Sequence, residues 1–136
     1  MTVELIRSAA LTDEVPYAYA AKVTAGHLVL TAGACPLDDD GVVGPVGDYP
    51  GQAERVMANL AAALADAGAR LQDVAKSTVY VATTDRADLV AVWDVVRRAM
   101  GDHDAPSTLL AVPLLGYPDQ LVEVEAIAAV GADAGP

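Results

Sequence analysis

The spacing of apolar residues changes period along the chain, and each change predicts an element. Across 50–67, Val56, Leu60 and Leu64 recur every four positions while Met57, Ala61 and Ala65 widen the stripe, the pattern of a long amphipathic helix. Pro50 suits its first turn and Gly68 its stop. A second helix is predicted from Asp85, a candidate N-cap, to Gly101, with Leu89, Val92, Trp93, Val96 and Met100 buried. Between the two, 77–82 is dense in β-branched and aromatic side chains and predicts a buried strand. Upstream, 3–7 alternates weakly and can form a first strand, while 20–24 and 27–34 predict a hairpin around Ala25-Gly26. Residues 37–48 form a loop, with turn chemistry at Asp38-Asp39-Asp40-Gly41. Two last strands, about 108–114 and 121–130, flank the turn Gly116-Tyr117-Pro118, and 131–136 is a frayed tail.

The predicted order is β-β-α-β-α-β-β, an α+β domain with a mixed sheet and two helices on one face. The other face must meet water or another chain. Because the last strand has apolar residues in both alternating sets, the open face is expected to be an interface between copies.

Length bounds this to one domain, 1–136, able to bury roughly two thirds of its unfolded surface. Small branched side chains must fill the core, since the chain has one Trp, five Tyr and no Phe. The net charge of −11, from 19 acidic against 8 basic residues, argues against nucleic-acid and anionic-membrane partners, and no basic cluster exceeds Arg97-Arg98. A single cysteine, Cys35, excludes an internal disulfide and reads as a buried small hydrophobe rather than a nucleophile. With no leader-like start and no apolar run of spanning length, the expected location is cytoplasmic.

Candidate chemistry is sparse. No metal-ligand spacing, phosphate-binding glycine loop or Gly-x-Ser-x-Gly turn occurs, so neither metal nor cofactor is expected. His27 and His103 read as surface or strand-end residues. Glu123 and Glu125 share parity on the last strand and give one face an acidic stripe, which is an exposed surface stripe, an ion pair between subunits or a site of chemistry. Tyr17 is a packing aromatic or a cleft wall, and Ser107 and Thr108 either satisfy a strand end or donate to a ligand.

Several segments, in order, resemble the RidA/YjgF family: Pro16-Tyr17, the stretch 27–38, Lys76-Ser77-Thr78-Val79-Tyr80-Val81, and 105–128 with its Val122-Glu123-Val124-Glu125-Ala126-Ile127-Ala128 ending. The resemblance implies a homotrimer of chorismate-mutase-like protomers with small-molecule clefts between subunits. It implies Glu123 as the residue positioning water to attack an imine carbon, and Tyr17, Gly33, Trp93, Ser107 and Thr108 as ligand-binding positions. The family activity, hydrolysis of an enamine or imine to a carbonyl compound and ammonia, needs no cofactor. The alternatives are a non-catalytic metabolite-binding or regulatory member, or a specialised enzyme acting on a neutral intermediate. Three departures bear on this choice. Ala32 and Ala34 replace the usual serine and glutamine around Gly33, Trp93 falls where some deaminases have asparagine, and Ser107 stands where the family carries the arginine that grips a substrate carboxylate. A serine hydroxyl offers one neutral donor against a two-pronged permanent charge, so a neutral or cationic ligand is expected.

Overall fold

The computed structural model describes residues 2–131, so the expected tail lies, apart from Gly131, outside the described residues. In chain order the elements are β1 (Val3–Ile6), β2 (Ala20–Val23), β3 (His27–Leu30), α1 (Tyr49–Asp66), β4 (Val74–Ala82), α2 (Arg86–Met100), β5 (Ser107–Val112) and β6 (Val122–Val130). β1 falls on the strand expected at 3–7, and from β2 onward the order is the expected ββαβαββ.

Each helix begins where a side chain satisfies its free amides. Asp48 accepts from Gly51 N at the start of α1, and Asp85 from Ala87 N at the start of α2. Asp48 is the cap that the sequence pattern overlooked beside Pro50. Gly101 ends α2 at a positive φ of 63°. The α1 stripe buries Val56, Leu60 and Leu64 as expected, but Ala65 is exposed, because the sheet meets only the face centred on Leu60. Val92 and Val96 of α2 complete the helical side of the core. Each Val or Leu buried this way contributes about 1.5–3 kcal/mol.

The main sheet has the order β3-β6-β4-β5, with β4 and β5 parallel and the other neighbours antiparallel. Val79 and Val81 of β4 and Val122 and Val124 of β6 point at the helices and are fully buried. Their alternates, Tyr80, Glu123 and Glu125 among them, face the opposite side and are only half-buried. That open face ends at β3, where Leu28 and Leu30 are 60% and 68% exposed.

The hairpin expected around Ala25-Gly26 is not formed. β2 pairs antiparallel with β1 in a separate two-stranded ribbon, and β3 pairs with β6. Gly26 does reverse the chain, with φ at 95°, but a side chain there would strike the Val130 carbonyl, so the turn delivers β3 onto the end of β6. The ribbon lays Val3, with Leu5 and Ala21 beside it, on Ala75 and Ala129, whose small side chains admit it. At the other end Ala18 N donates to Asp104 O at 2.8 Å, and the Arg7 guanidinium pairs with the Asp104 carboxylate at 2.9 Å.

Two more strand bounds differ from expectation. β3 stops at Leu30 instead of reaching Ala34, which makes only an isolated bridge to Val124. Between them Thr31 Oγ1 accepts from Ala126 N and breaks the regular ladder. β5 ends at Val112 rather than Leu114, before Pro113, which has no amide to donate.

Candidate functional site

The loop between β1 and β2, helix α2 and the edge strand β5 together make a cleft of about 620 Å³, lined by Pro16, Tyr17, Trp93, Ser107, Thr108 and Leu109. Four of the six sequence-derived site residues therefore meet in one place. Arg7 fixes the Tyr17 loop, donating to Val15 O at 2.9 Å and Tyr17 O at 2.8 Å while holding Asp104. Tyr17 stands edge-on to Tyr19 with ring centroids 5.9 Å apart. Trp93 comes from α2 and the remaining walls from β5, the outer strand of the main sheet.

Ser107 does not offer its hydroxyl to this cleft. It donates to Ala105 O at 3.1 Å and accepts from the buried Ser77 hydroxyl, its parallel partner across β4 and β5. Thr108 accepts at Oγ1 from Lys76 Nζ at 2.7 Å, and its own hydroxyl hydrogen stays available.

Glu123 and Gly33 sit elsewhere. The Glu123 carboxylate packs over Gly33, and its Oε1 accepts from Gln120 Nε2 at 3.0 Å and from Cys35 Sγ at 3.2 Å. Gln120 is almost wholly buried, donates also to Val122 O and accepts from Tyr117 N, so the turn before β6 is tied to the carboxylate. Gln52 of α1 anchors the same turn, donating to Asp119 O and accepting from Leu121 N. Cys35 is thus a hydrogen-bonding neighbour of Glu123, not merely a small hydrophobe. Burial first, then the bond to Glu123 and its charge, push the thiol up to about 11. One register step along β6, Glu125 accepts from the Tyr80 hydroxyl at 2.6 Å, and that bond is the main cause holding the phenol above its ordinary range.

Within one chain the two clusters stay apart. Ser107 pairs with Ser77 and Glu123 with Tyr80, three positions further along β4 and on its other side. Strand geometry makes that about 10 Å along the sheet and about 10 Å across it. Cys35, Gln120, Arg7 and Lys76 were not singled out from sequence as site residues. Of these, only Gln120 carries a local signal, an amide side chain three positions before Glu123.

His27 is exposed at the start of β3, while His103 donates from Nε2 to Val74 O at 2.7 Å. Among the described residues no group of three or more His, Cys, Asp or Glu is placed to hold a metal ion, and no helix is long and apolar enough to cross a membrane.

Comparison with known proteins agrees with this architecture. A RutC family protein of Pyrococcus abyssi is 36% identical over 113 residues, 83% of this chain and 85% of that protein. The 3-aminoacrylate deaminase RutC of Acinetobacter baylyi is 30% identical over 115 residues, 85% of this chain and 87% of that enzyme. Among solved structures, the conserved Rid family protein YyfB of Yersinia pestis superposes with a TM-score of 0.89 at 27% identity, covering 96% of this chain and all (100%) of that one. The profile described as endoribonuclease L-PSP matches residues 8–130. With nearly its whole length matched, the chain belongs to the endoribonuclease L-PSP family, known also as RidA/YjgF.

Proposed function

We propose that the chain forms a homotrimer whose inter-subunit clefts bind a small molecule and hydrolyse an enamine or imine, with Glu123 holding the attacking water. The observation that carries this reading is the Glu123 carboxylate. Gln120 and Cys35 occupy its Oε1, which leaves Oε2 as the oxygen able to orient a water. The aromatic cleft of Tyr17 and Trp93 is separated from it in one chain, and a neighbouring copy can supply the missing half. The apolar edge of Leu28 and Leu30 supports such an assembly.

In the reaction, water oxygen adds to the imine carbon as Glu123 takes a water proton. The nitrogen is protonated, the carbon–nitrogen bond breaks, and a carbonyl compound and ammonia leave. No cofactor enters the balance. RNA cleavage is not part of this reading, since 19 acidic against 8 basic residues oppose a polyanion.

A second reading, a binder without turnover, is favoured by Ser107, whose hydroxyl is engaged by Ser77 and Ala105. Ammonia release from freshly generated imines separates the two. Glu123→Gln is expected to abolish release while sedimentation still gives a mass near three chains. Unchanged turnover in that variant would remove Glu123 from the mechanism, and a stable monomer would remove the composite cleft.

A further inference from the structure

Lys76 is the only lysine or arginine on the four strands of the main sheet. Its neighbours Ala75 and Ser77 are buried, while Lys76 itself, like Thr78 and Tyr80, is half-exposed on the open face. The ammonium donates to Thr108 Oγ1, and Thr108 lines the cleft between Tyr17 and Trp93. Thr108 is its hydrogen-bond partner among the described residues, where the ion pairs are Arg7–Asp104 and Arg70–Asp73. Two of its three N–H donors thus remain available.

This is an unusual place for a cation without a direct ion pair in a chain of net charge −11. The acids of the same face are turned to other groups: Glu125 accepts from Tyr80, and Glu123 from Gln120 and Cys35. What remains is an ammonium with no carboxylate in ion-pair contact among the described residues, one hydroxyl away from an aromatic-walled cleft.

We propose that Lys76 is the anion-binding residue of this cleft, so that its ligand carries a carboxylate and seats its hydrocarbon part between Tyr17 and Trp93. This rests on the reading of the cleft as a small-molecule site, and it replaces the neutral or cationic ligand expected from the missing arginine. Thr108 completes the subsite by donating its hydroxyl hydrogen to the same carboxylate. An ammonium is a point charge without the planar fork of a guanidinium, so it fixes the carboxylate less rigidly and tolerates more ligand orientations.

Phenylacetate and phenylacetamide, nearly equal in shape and different in charge, test this by NMR titration of the full-length protein. The backbone amides of Trp93, Ser107 and Thr108 report on the cleft. Phenylacetate is expected to bind about tenfold tighter than phenylacetamide, a difference within reach of one charge-assisted contact. Lys76→Met should abolish the preference, and Lys76→Arg should keep it. Lys76→Gln retains a donor to Thr108 without the charge and should also lose the preference, which covers a Lys76→Met that fails to fold. Equal binding of the two probes to the unmodified protein, or a preference surviving in Lys76→Gln, overturns the role of Lys76 while leaving the cleft as a binding site. If neither probe moves those amides, the cleft reading falls with it.

Discussion

The Glu123 carboxylate lies so close over Gly33 that a methyl group at position 33 would overlap its Cγ, Cδ and Oε2. Gly33 therefore makes room for a specific rotamer of Glu123, and its backbone φ imposes no need for glycine. Gly33→Ala should push the carboxylate away from Cys35 and Gln120 at little cost to the fold, because the clash falls on the end of a flexible side chain. Two of the causes that raise the Cys35 thiol would go with it. Faster reaction of Cys35 with a disulfide reagent at pH 8.5, at nearly unchanged melting temperature, is the expected result.

Cys35 also makes a defined contribution to the pH dependence of stability. Its pKa rises from an ordinary 9.0 to about 11 in the folded chain, so the fold holds a proton that the unfolded chain releases first. The stabilisation from this group is full below pH 9 and is lost as pH rises towards 11. Comparing unfolding of the unmodified protein with Cys35→Ala from pH 8 to 11 cancels the other titrating groups. The difference should be flat up to about pH 9 and then move against the unmodified protein.

The serine pair between β4 and β5 should behave non-additively. Ser107→Ala leaves the buried Ser77 hydroxyl without its partner and should cost about 1–3 kcal/mol by urea unfolding. Replacing both serines by alanine removes donor and acceptor together and should cost less than the sum of the two single changes.

Leu28 and Leu30 are exposed in the single chain, so changing them should not weaken its own core. Leu28→Ser/Leu30→Ser is expected to lower the assembled mass measured by light scattering while helical content stays constant. A mass unaffected by both changes would place the interface elsewhere on the open face.

The helices were legible because their signals are local. Four-residue spacing marked Val56, Leu60 and Leu64, and Asp85 announced α2 as its N-cap. Strand partners were not legible, since turn chemistry at Gly26 predicts a reversal without saying which strand lies beyond it. The convergence of Tyr17, Trp93, Ser107 and Thr108 came from resemblance to a family, for no periodicity brings positions 17 and 107 together. The partner of Cys35 was hidden for a related reason: its carboxylate is 88 residues away, and only the register of β6 brings it there. The tie between Ser107 and Ser77 was likewise hidden until β4 and β5 were paired in parallel.

β4 keeps the acidic cluster and the aromatic cleft roughly 14 Å apart within one chain, beyond the distance at which substitutions usually influence one another. In a composite assembly this makes the two clusters separately heritable parts. Chains carrying Glu123→Gln could be mixed with chains carrying Trp93→Ala, neither having an intact site when assembled alone. Where the sound acidic half of one meets the sound aromatic half of the other, a complete cleft reappears. The same separation lets the aromatic half drift towards new ligands while Glu123 and its supports remain untouched.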